Sequence, residues 1–269
     1  MNVLAGFPLW AQSVLVLGVL LAAIEAGFWL GEHRRGTEKD PDKIVTRDLA
    51  VSGMLALLGL VIAFTYSFSM SRSDMRKQAV IVEANALSTA FLRADTALEP
   101  ARSALKEALY QYALTRVLVH ADIESDEKAR RAVARTLQAQ ARIWPVTREV
   151  LASTTPDVFK VSIMHSINDV LDAHTKRWAF GFDQLPFMVR AMVLMTAASS
   201  LALAAYNAAL GGTLYRFRLY LFAVVIATVL MIIVDFDEPL RGLIQTNEAS
   251  LIMAIQEMEA SLGIAKKSP

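Results

Sequence analysis

The chain contains no cysteine among its 269 residues. This excludes disulfide bonds, thiolate nucleophiles, iron–sulfur clusters and zinc sites with sulfur ligands. Charge of one sign is also lacking, because 27 basic residues face 26 acidic ones. A nucleic-acid partner, which needs a strongly basic face, is therefore not expected. Phosphate-binding glycine loops, nucleophile elbows and dinucleotide fingerprints are absent as well, so we expect neither an enzyme nor a cofactor.

Long apolar runs are what the chain does have. They cover residues 10–30, 49–70, 191–211 and 219–234. About 20 apolar residues in a helix cross the hydrocarbon layer of a bilayer. The first run is longer than the core of a signal peptide and has no basic residue before it, so it is interpreted as a true span. The sequence predicts an all-α membrane protein with four transmembrane helices, whose first partner is the lipid bilayer.

The order of the runs predicts the domain organisation. Residues 1–71 and 187–235 each form a transmembrane hairpin, and residues 72–186 form a helical bundle outside the membrane that is continuous with the second span. No glycine occurs between Gly59 and Gly181, and strand-like alternation is lacking, which favours helix throughout the bundle. Residues 236–269 form an amphipathic C-terminal segment with apolar residues on one face, namely Leu251, Ile255, Met258 and Leu262.

Heptad spacing marks the helix that leaves the second span. Its apolar positions are Val80, Ala84, Leu87, Phe91, Ala94 and Leu98. Such a seam requires a partner helix along it, and Pro100 predicts that the helix ends near residue 99. Further helices are expected over residues 100–120, after an N-cap at Ser125 with a kink at Pro145, and from the Thr155–Pro156 pair to about residue 180.

Basic residues in the short connectors predict the orientation. The connectors 31–48 and 212–218 contain most of the lysine and arginine found in short segments. By the positive-inside rule these connectors are cytoplasmic, which places the N-terminus and the helical bundle on the extracytoplasmic side. A reporter fused after Pro269 distinguishes this orientation from its inverse.

Aromatic and hydroxyl side chains alternate at the end of the second span. The residues are Phe64, Thr65, Ser67, Phe68 and Ser71. Hydroxyl groups can replace part of the hydration shell of an ion, and aromatic rings can form a constriction that gates by dewetting. The alternative is an interfacial aromatic belt whose hydroxyls bond to helical carbonyls. These residues are the candidates for a pore and gate.

Two groups of polar residues flank the spans. The first follows the second span and contains Arg76, Glu83, Asn85, Thr89 and Arg93; the second follows the fourth span and contains Asp235 and Asp237. Both fit an ion vestibule or a structural polar network, in which a buried charge needs a partner from another helix. The stretch from Asp235 to Gly242 predicts a turn, whose carboxylates could form a ring in an oligomer.

A weak metal candidate lies on one helical face. His165, Asp169 and Asp172 follow the i, i+4, i+7 spacing that can bind a divalent metal. No second cluster accompanies them, so a solvated face, continued by His174 and Arg177, is the favoured interpretation and no metal is expected.

Small residues and one acidic residue stand out within the spans. Small residues at four-residue steps predict close helix packing, at Gly59, Ala63 and Ser67 and at Ser200, Ala204, Ala208 and Gly212. Glu25, inside the first span, is expected to pair with Arg34 or Arg35 or to reach the interface.

Four segments resemble the bacterial bestrophin-like domain family. They are residues 59–95, NDVLDAHTKRW at 168–178, YNAALGG at 206–212 and DFDEPLRGLI at 235–244. The most specific element is Glu83-Ala84-Asn85-Ala86 with Thr89 and Arg93. The element Asp235-x-Asp237-x-Pro239-x-x-Gly242 comes next.

The resemblance implies an anion channel built as a ring of four-span protomers in the inner membrane of a bacterium. Bestrophins place the bundle in the cytosol, which opposes the orientation derived from charge. They also have a run of acidic residues that binds calcium. The nearest segment here, residues 122–127, does not match it, so calcium gating is not implied.

Two functions are consistent with these observations. The first is an oligomeric ion channel, with anions favoured over cations and a pore lined by the second span. The alternative is a non-conducting envelope scaffold or sensor, whose helical bundle binds a partner.

Overall fold

The protein is described by a computed structural model that covers residues 9–35, 41–117, 126–212, 216–238 and 247–264. All regular structure in these residues is helical. The helices are α1 (Leu9–Arg34), α2 (Pro41–Ala94), α3 (Ala101–Leu114), α4 (Asp126–Ala152), α5 (Asp157–Phe182), α6 (Phe187–Leu210), α7 (Arg216–Asp237) and α8 (Ala249–Leu262). Four of them, α1, α2, α6 and α7, are long and apolar enough to cross a membrane. The predicted all-α class with four spans is confirmed.

Helix α2 continues beyond the second apolar run without a break. It contains 54 residues, and no proline occurs between Pro41 and Pro100 to interrupt its hydrogen bonds. Its residues up to Ser73 belong to one compact unit and those from Asp74 onwards to a second unit.

The first unit comprises residues 1–73 and 184–245. Its apolar core is formed mainly by α1, α6 and α7, with Ile24, Leu201 and Ala223 fully buried and Leu58 of α2 packed among them. Because lipid surrounds membrane-spanning helices, close packing of small residues has to replace the hydrophobic effect here.

Glycines of α1 provide the closest helix contact of this unit. A Cβ atom at Gly31 would lie 2.6 Å from both the carbonyl oxygen of Tyr206 and the Cβ of Ala209, and one at Gly27 would overlap the carbonyl oxygen of Ala202. This Gly-x-x-x-Gly pair was not among the predicted packing residues.

The predicted small-residue faces differ from the observed one. The position of a Cβ at Gly59 is open space. On α6, Ser200 is buried, whereas Ala204, Ala208 and Gly212 are only half-buried.

Glu25 has different partners from the predicted ones. It pairs with Arg216 of α7 at 2.9 Å and accepts a hydrogen bond from the hydroxyl of Tyr220. Arg34 and Arg35 were expected because they are near in sequence. The antiparallel packing of α1 against α7 brings Arg216 closer, and Arg216 also reaches Glu32.

The second unit comprises residues 74–183 and 246–269. Its core contains the heptad seam of α2 from Val80 to Ala94, packed with apolar residues of α3, α4, α5 and α8. The C-terminal helix α8 belongs to this core through Leu251, Ile255 and Met258, while Leu262 is partly buried. The heptad pattern therefore identified a buried surface within the protomer.

Helix ends depart from the predictions at several points. Helix α2 ends at Ala94, where i to i+3 turn bonds replace the helical ones, and Leu98 beyond this end is exposed. The backbone N–H of Leu98 donates to Thr155 Oγ1. Thr155 therefore does not cap α5, whose N-cap residue is Pro156. Helix α4 runs through Pro145 as one element.

The remaining boundary predictions concern α3, α4 and α7. Helix α3 ends at Leu114, and helix α7 continues through Asp237, so both aspartates lie inside its last turn. The predicted N-cap Ser125 and the turn residues Pro239 and Gly242 lie outside the described residues.

We predict that Gly27→Ala destabilises the membrane unit, because its methyl group would overlap the backbone of α6. Overpacking of this kind costs about 1–3 kcal/mol. The measurement is thermal unfolding in detergent. Gly18→Ala on the same helix is the control, since a Cβ there has nothing within 4 Å. Equal melting temperatures for the two variants would contradict the close packing of α1 and α6.

Candidate functional site

One side of α2 stays exposed along most of its length. We call this side the outer stripe. Its residues repeat every three or four positions, which keeps them on one helical face. All of them are exposed: Leu57, Leu60, Phe64, Ser67, Phe68, Ser71, Met75, Gln78, Val82, Asn85, Thr89 and Leu92.

The outer stripe brings together four of the five pore candidates. Phe64 and Phe68 are 57% and 61% exposed, and Ser67 and Ser71 are exposed beside them. Thr65 does not belong to this group. It is only 4% exposed and donates its hydroxyl to the carbonyl of Val61 at 2.7 Å, which is the back-bonded arrangement that was the alternative for these hydroxyls.

None of these twelve residues is ionisable, and exposed Asp74, which pairs with Lys77, lies at the edge of the outer stripe. Other charged residues of α2, such as Arg76 and Glu83, lie on other faces. Asn85 and Thr89, two of the predicted vestibule residues, are exposed within the outer stripe. A helical face turned to water normally carries charge, so a neutral face that continues beyond the apolar run is unusual.

Glu83 lies on the opposite side of α2 and has no exposed surface. Arg116 Nε donates to its Oε1 at 2.7 Å, Arg177 Nη1 to its Oε2 at 2.8 Å, and the hydroxyl of Tyr112 to its Oε1 at 2.6 Å. Arg177 also pairs with Glu248 at 2.7 Å. Two carboxylates therefore balance two guanidinium groups, which a buried cluster requires because an unpaired charge would be costly.

His174 completes this cluster through Tyr112. Its Nδ1 lies 3.0 Å from the tyrosine hydroxyl. The tyrosine hydroxyl has one proton, which it donates to Glu83. In the bond between the hydroxyl and His174, Nδ1 must then be protonated and act as the donor. Burial lowers the pKa of His174, and the charge of Arg116 lowers it further. The imidazole is therefore held neutral inside the bundle. Burial and the charge of Glu83 raise the pKa of Tyr112, which keeps its hydroxyl a donor.

The other predicted vestibule residues make contacts within their own unit. Arg76 donates to the carbonyl of Asp183 at 3.4 Å, and Arg93 to that of Ser162 at 3.2 Å. Asp237 is 0% exposed; it pairs with Arg190 and accepts the backbone N–H of Leu185 at 2.9 Å. Asp235 is buried as well. This arrangement corresponds to the structural alternative, because a carboxylate enclosed by its own protomer cannot contribute to a ring in a pore.

The weak metal candidates remain apart from these groups. His165, Asp169 and Asp172 are all exposed on α5, and the described residues contain no cluster able to hold a metal ion. His174 and Arg177 do not continue this face as the sequence suggested, since both are largely buried in the Glu83 cluster.

Sequence reasoning missed Tyr112, Arg116 and Glu248 as partners of Glu83. A signal for the first two was available, because Tyr112 and Arg116 are four residues apart and share a helical face. Nothing in the sequence linked that face to Glu83, since the contact joins positions 33 residues apart.

We predict that His174→Gln makes the stability of the bundle less dependent on pH. Because folding lowers the pKa of His174, the unfolded chain binds the proton more readily than the folded protein. The neutral imidazole therefore contributes its full stability above the pKa of the unfolded chain, 6.5, and this contribution is lost as the pH falls through the lower pKa of the folded protein. The melting temperature of wild type should thus fall as the pH drops below about 6.5, and His174→Gln should make this fall smaller.

The matched control is His165→Gln, which removes an exposed histidine from the same helix. It should keep the wild-type slope. If both variants change the slope equally, the neutral state of His174 does not contribute.

Comparison with solved structures shows the same fold. A variant of the bacterial bestrophin homologue from Klebsiella pneumoniae superimposes with a TM-score of 0.61 at 12% identity, covering 94% of this chain and 98% of that one. A second variant of that homologue gives 0.57 at 14% identity, with 95% and 99% covered. At this identity the likeness concerns the fold alone. No curated protein matches the chain significantly.

A family model supplies the assignment that the solved structures cannot. The model described as the Bestrophin-like domain matches residues 18–251, which include most of α1, all of α2, α6 and α7, the outer stripe and the Glu83 cluster. The chain therefore belongs to the bestrophin-like family.

Proposed function

We propose that the protein is an oligomeric ion channel of the bacterial inner membrane, with the outer stripes of several α2 helices facing a common axis. The observation that carries the proposal is the neutral outer stripe, which includes two exposed phenylalanines in the apolar run and continues beyond them for more than six turns. Membership of the bestrophin-like family supports it.

Lipid explains only part of the exposure of the outer stripe. Up to about Met70 the side chains could face acyl chains, but Met75, Val82 and Leu92 follow the apolar run and are still exposed. In water such residues favour burial against a partner. Further copies of α2 are the partner proposed, because they present the same neutral residues in the same register.

Phe64 and Phe68 are the proposed constriction. One turn apart on α2, they would form two stacked apolar rings around an axis, and rings of this kind gate by excluding water. Ser67 and Ser71 lie beside them and can bond to an ion that has lost part of its hydration shell.

Selectivity for anions over cations is the finer part of the proposal. The carboxylate at the edge of the outer stripe, Asp74, is paired with Lys77. The Gln78, Asn85 and Thr89 side chains of the outer stripe can each donate hydrogen bonds to an anion. Glu83 and Asp237 are neutralised inside the protomer, so they add no negative field to a pore.

The orientation proposed is the one that the connector charges favour, with the bundle outside the cytoplasm. The buried cluster around Glu83 is assigned a structural role and no catalytic one. The non-conducting scaffold or sensor remains the competing function.

We predict that Phe64→Ala raises chloride flux several-fold in protein-containing liposomes, because a smaller side chain makes the constriction easier to wet. The control is Phe222→Ala on α7, which also removes an exposed phenylalanine from an apolar helix and should leave the flux unchanged.

In planar bilayers a salt gradient should give a reversal potential near that of chloride. Absence of current in every salt and voltage would favour the scaffold, and a potential near that of the cation would reverse the selectivity.

We also predict that Gln78→Cys cross-links neighbouring protomers. The chain has no cysteine of its own, so the introduced thiol is unique, and residue 78 is exposed on the outer stripe. A short bis-maleimide should give covalent dimers on a denaturing gel. Gln138→Cys, exposed on α4, should stay monomeric. The same pattern for both variants would remove α2 from the proposed axis.

A further inference from the structure

A cavity of about 200 Å³ lies within the membrane unit, and it is partly open. Its lining is almost entirely apolar and comes from the first turns of α1 and α6 and the last turns of α7; it includes Val16, Phe187, Leu194 and Leu230. An apolar cavity of about 150 Å³ already stays dry and takes up an apolar molecule. An apolar occupant is therefore expected here too.

The cavity lies at the depth of a membrane interface. The start of α1, the start of α6 and the end of α7 are brought together by antiparallel packing, and Thr65, near the end of the second apolar run, also contributes to the lining. Trp10, exposed two residues before the lining residue Gln12, is typical of the boundary between headgroups and acyl chains.

Arg190 is the polar group that remains incompletely bonded at this cavity. It lines the cavity and pairs with Asp237, but its Nε is buried without a hydrogen-bond partner among the described residues. A buried donor without an acceptor is costly and calls for an explanation. The Nε atom is enclosed by protein, but the Arg190 side chain as a whole is 21% exposed, so a terminal N–H of the guanidinium is available to an oxygen of the cavity's occupant.

The charge around Arg190 decides which oxygen that is. Asp237 is fully buried and already neutralises the guanidinium. A second carboxylate or a phosphate beside it would face a buried negative charge, whereas a neutral carbonyl can accept the N–H without this penalty. Ester carbonyls of glycerolipids lie at the boundary where the cavity is found.

We propose that this cavity binds one acyl chain of a bilayer phospholipid, whose ester carbonyl accepts a hydrogen bond from the guanidinium of Arg190. The chain fills the apolar space between α1, α6 and α7, and the headgroup stays in the interface. This site is separate from the outer stripe and does not depend on whether the protein conducts ions.

The first experiment measures lipid that is retained after purification. Wild type, Ala191→Phe and Ser199→Phe are washed in lipid-free detergent, and the bound lipid is extracted and quantified by mass spectrometry. Ala191 lines the cavity, whereas Ser199 is exposed on the same helix. Wild type and Ser199→Phe should retain phospholipid in stoichiometric amount, and Ala191→Phe should lose it.

A second experiment uses wild type alone, so that it does not depend on a variant that folds. The protein is reconstituted with a phosphatidylethanolamine that has a diazirine on one acyl chain, and illumination should label peptides that contain Leu194 or Leu230. Retention of free fatty acid in place of phospholipid would overturn the proposal. So would equal retention by the two variants, or labelling that avoids those peptides.

Discussion

The buried carboxylate of Glu83 is the constraint on which the helical bundle depends. It has no exposed surface, so the bundle can form only if donors from other helices reach it. Tyr112 comes from α3, Arg116 from the turn that directly follows α3, and Arg177 from α5. Removing one partner from such a buried pair typically costs about 3–5 kcal/mol. The cluster therefore fixes the register of α2 against its neighbours in the bundle.

Helix α2 has two different sides. The side with Glu83 and the heptad seam is closed within the protomer, and the other side is the neutral outer stripe. A rotation of α2 within the bundle that exposed Glu83 would also turn Asn85 and Thr89 of the outer stripe inward.

The membrane unit is stabilised differently, because the hydrophobic effect does not contribute to helix packing in lipid. Glycines at positions 27 and 31 allow α1 to approach the backbone of α6. The Arg216–Glu25 and Arg190–Asp237 pairs neutralise charges at the two ends of α7, the first with α1 and the second with α6. Where the packing is less close, the cavity beside Arg190 remains, and a lipid chain is the material that the membrane supplies to fill it.

Periodicity in the sequence was enough to predict the four spans, the unbroken helix through Met70 and the buried seam from Val80 to Ala94, because helical spacing and apolar length are local properties. The phenylalanine and serine positions of the outer stripe were also identifiable, although Thr65 was misplaced among them. The sequence pattern predicted a buried Leu98 and a helix cap at Thr155, and both predictions were wrong. The Thr155 hydroxyl instead accepts the backbone N–H of Leu98, 57 residues away. Only the tertiary structure decided which charges meet, since the partners of Glu83, Glu25 and Asp237 are distant in sequence and one chain contains many oppositely charged candidates for each.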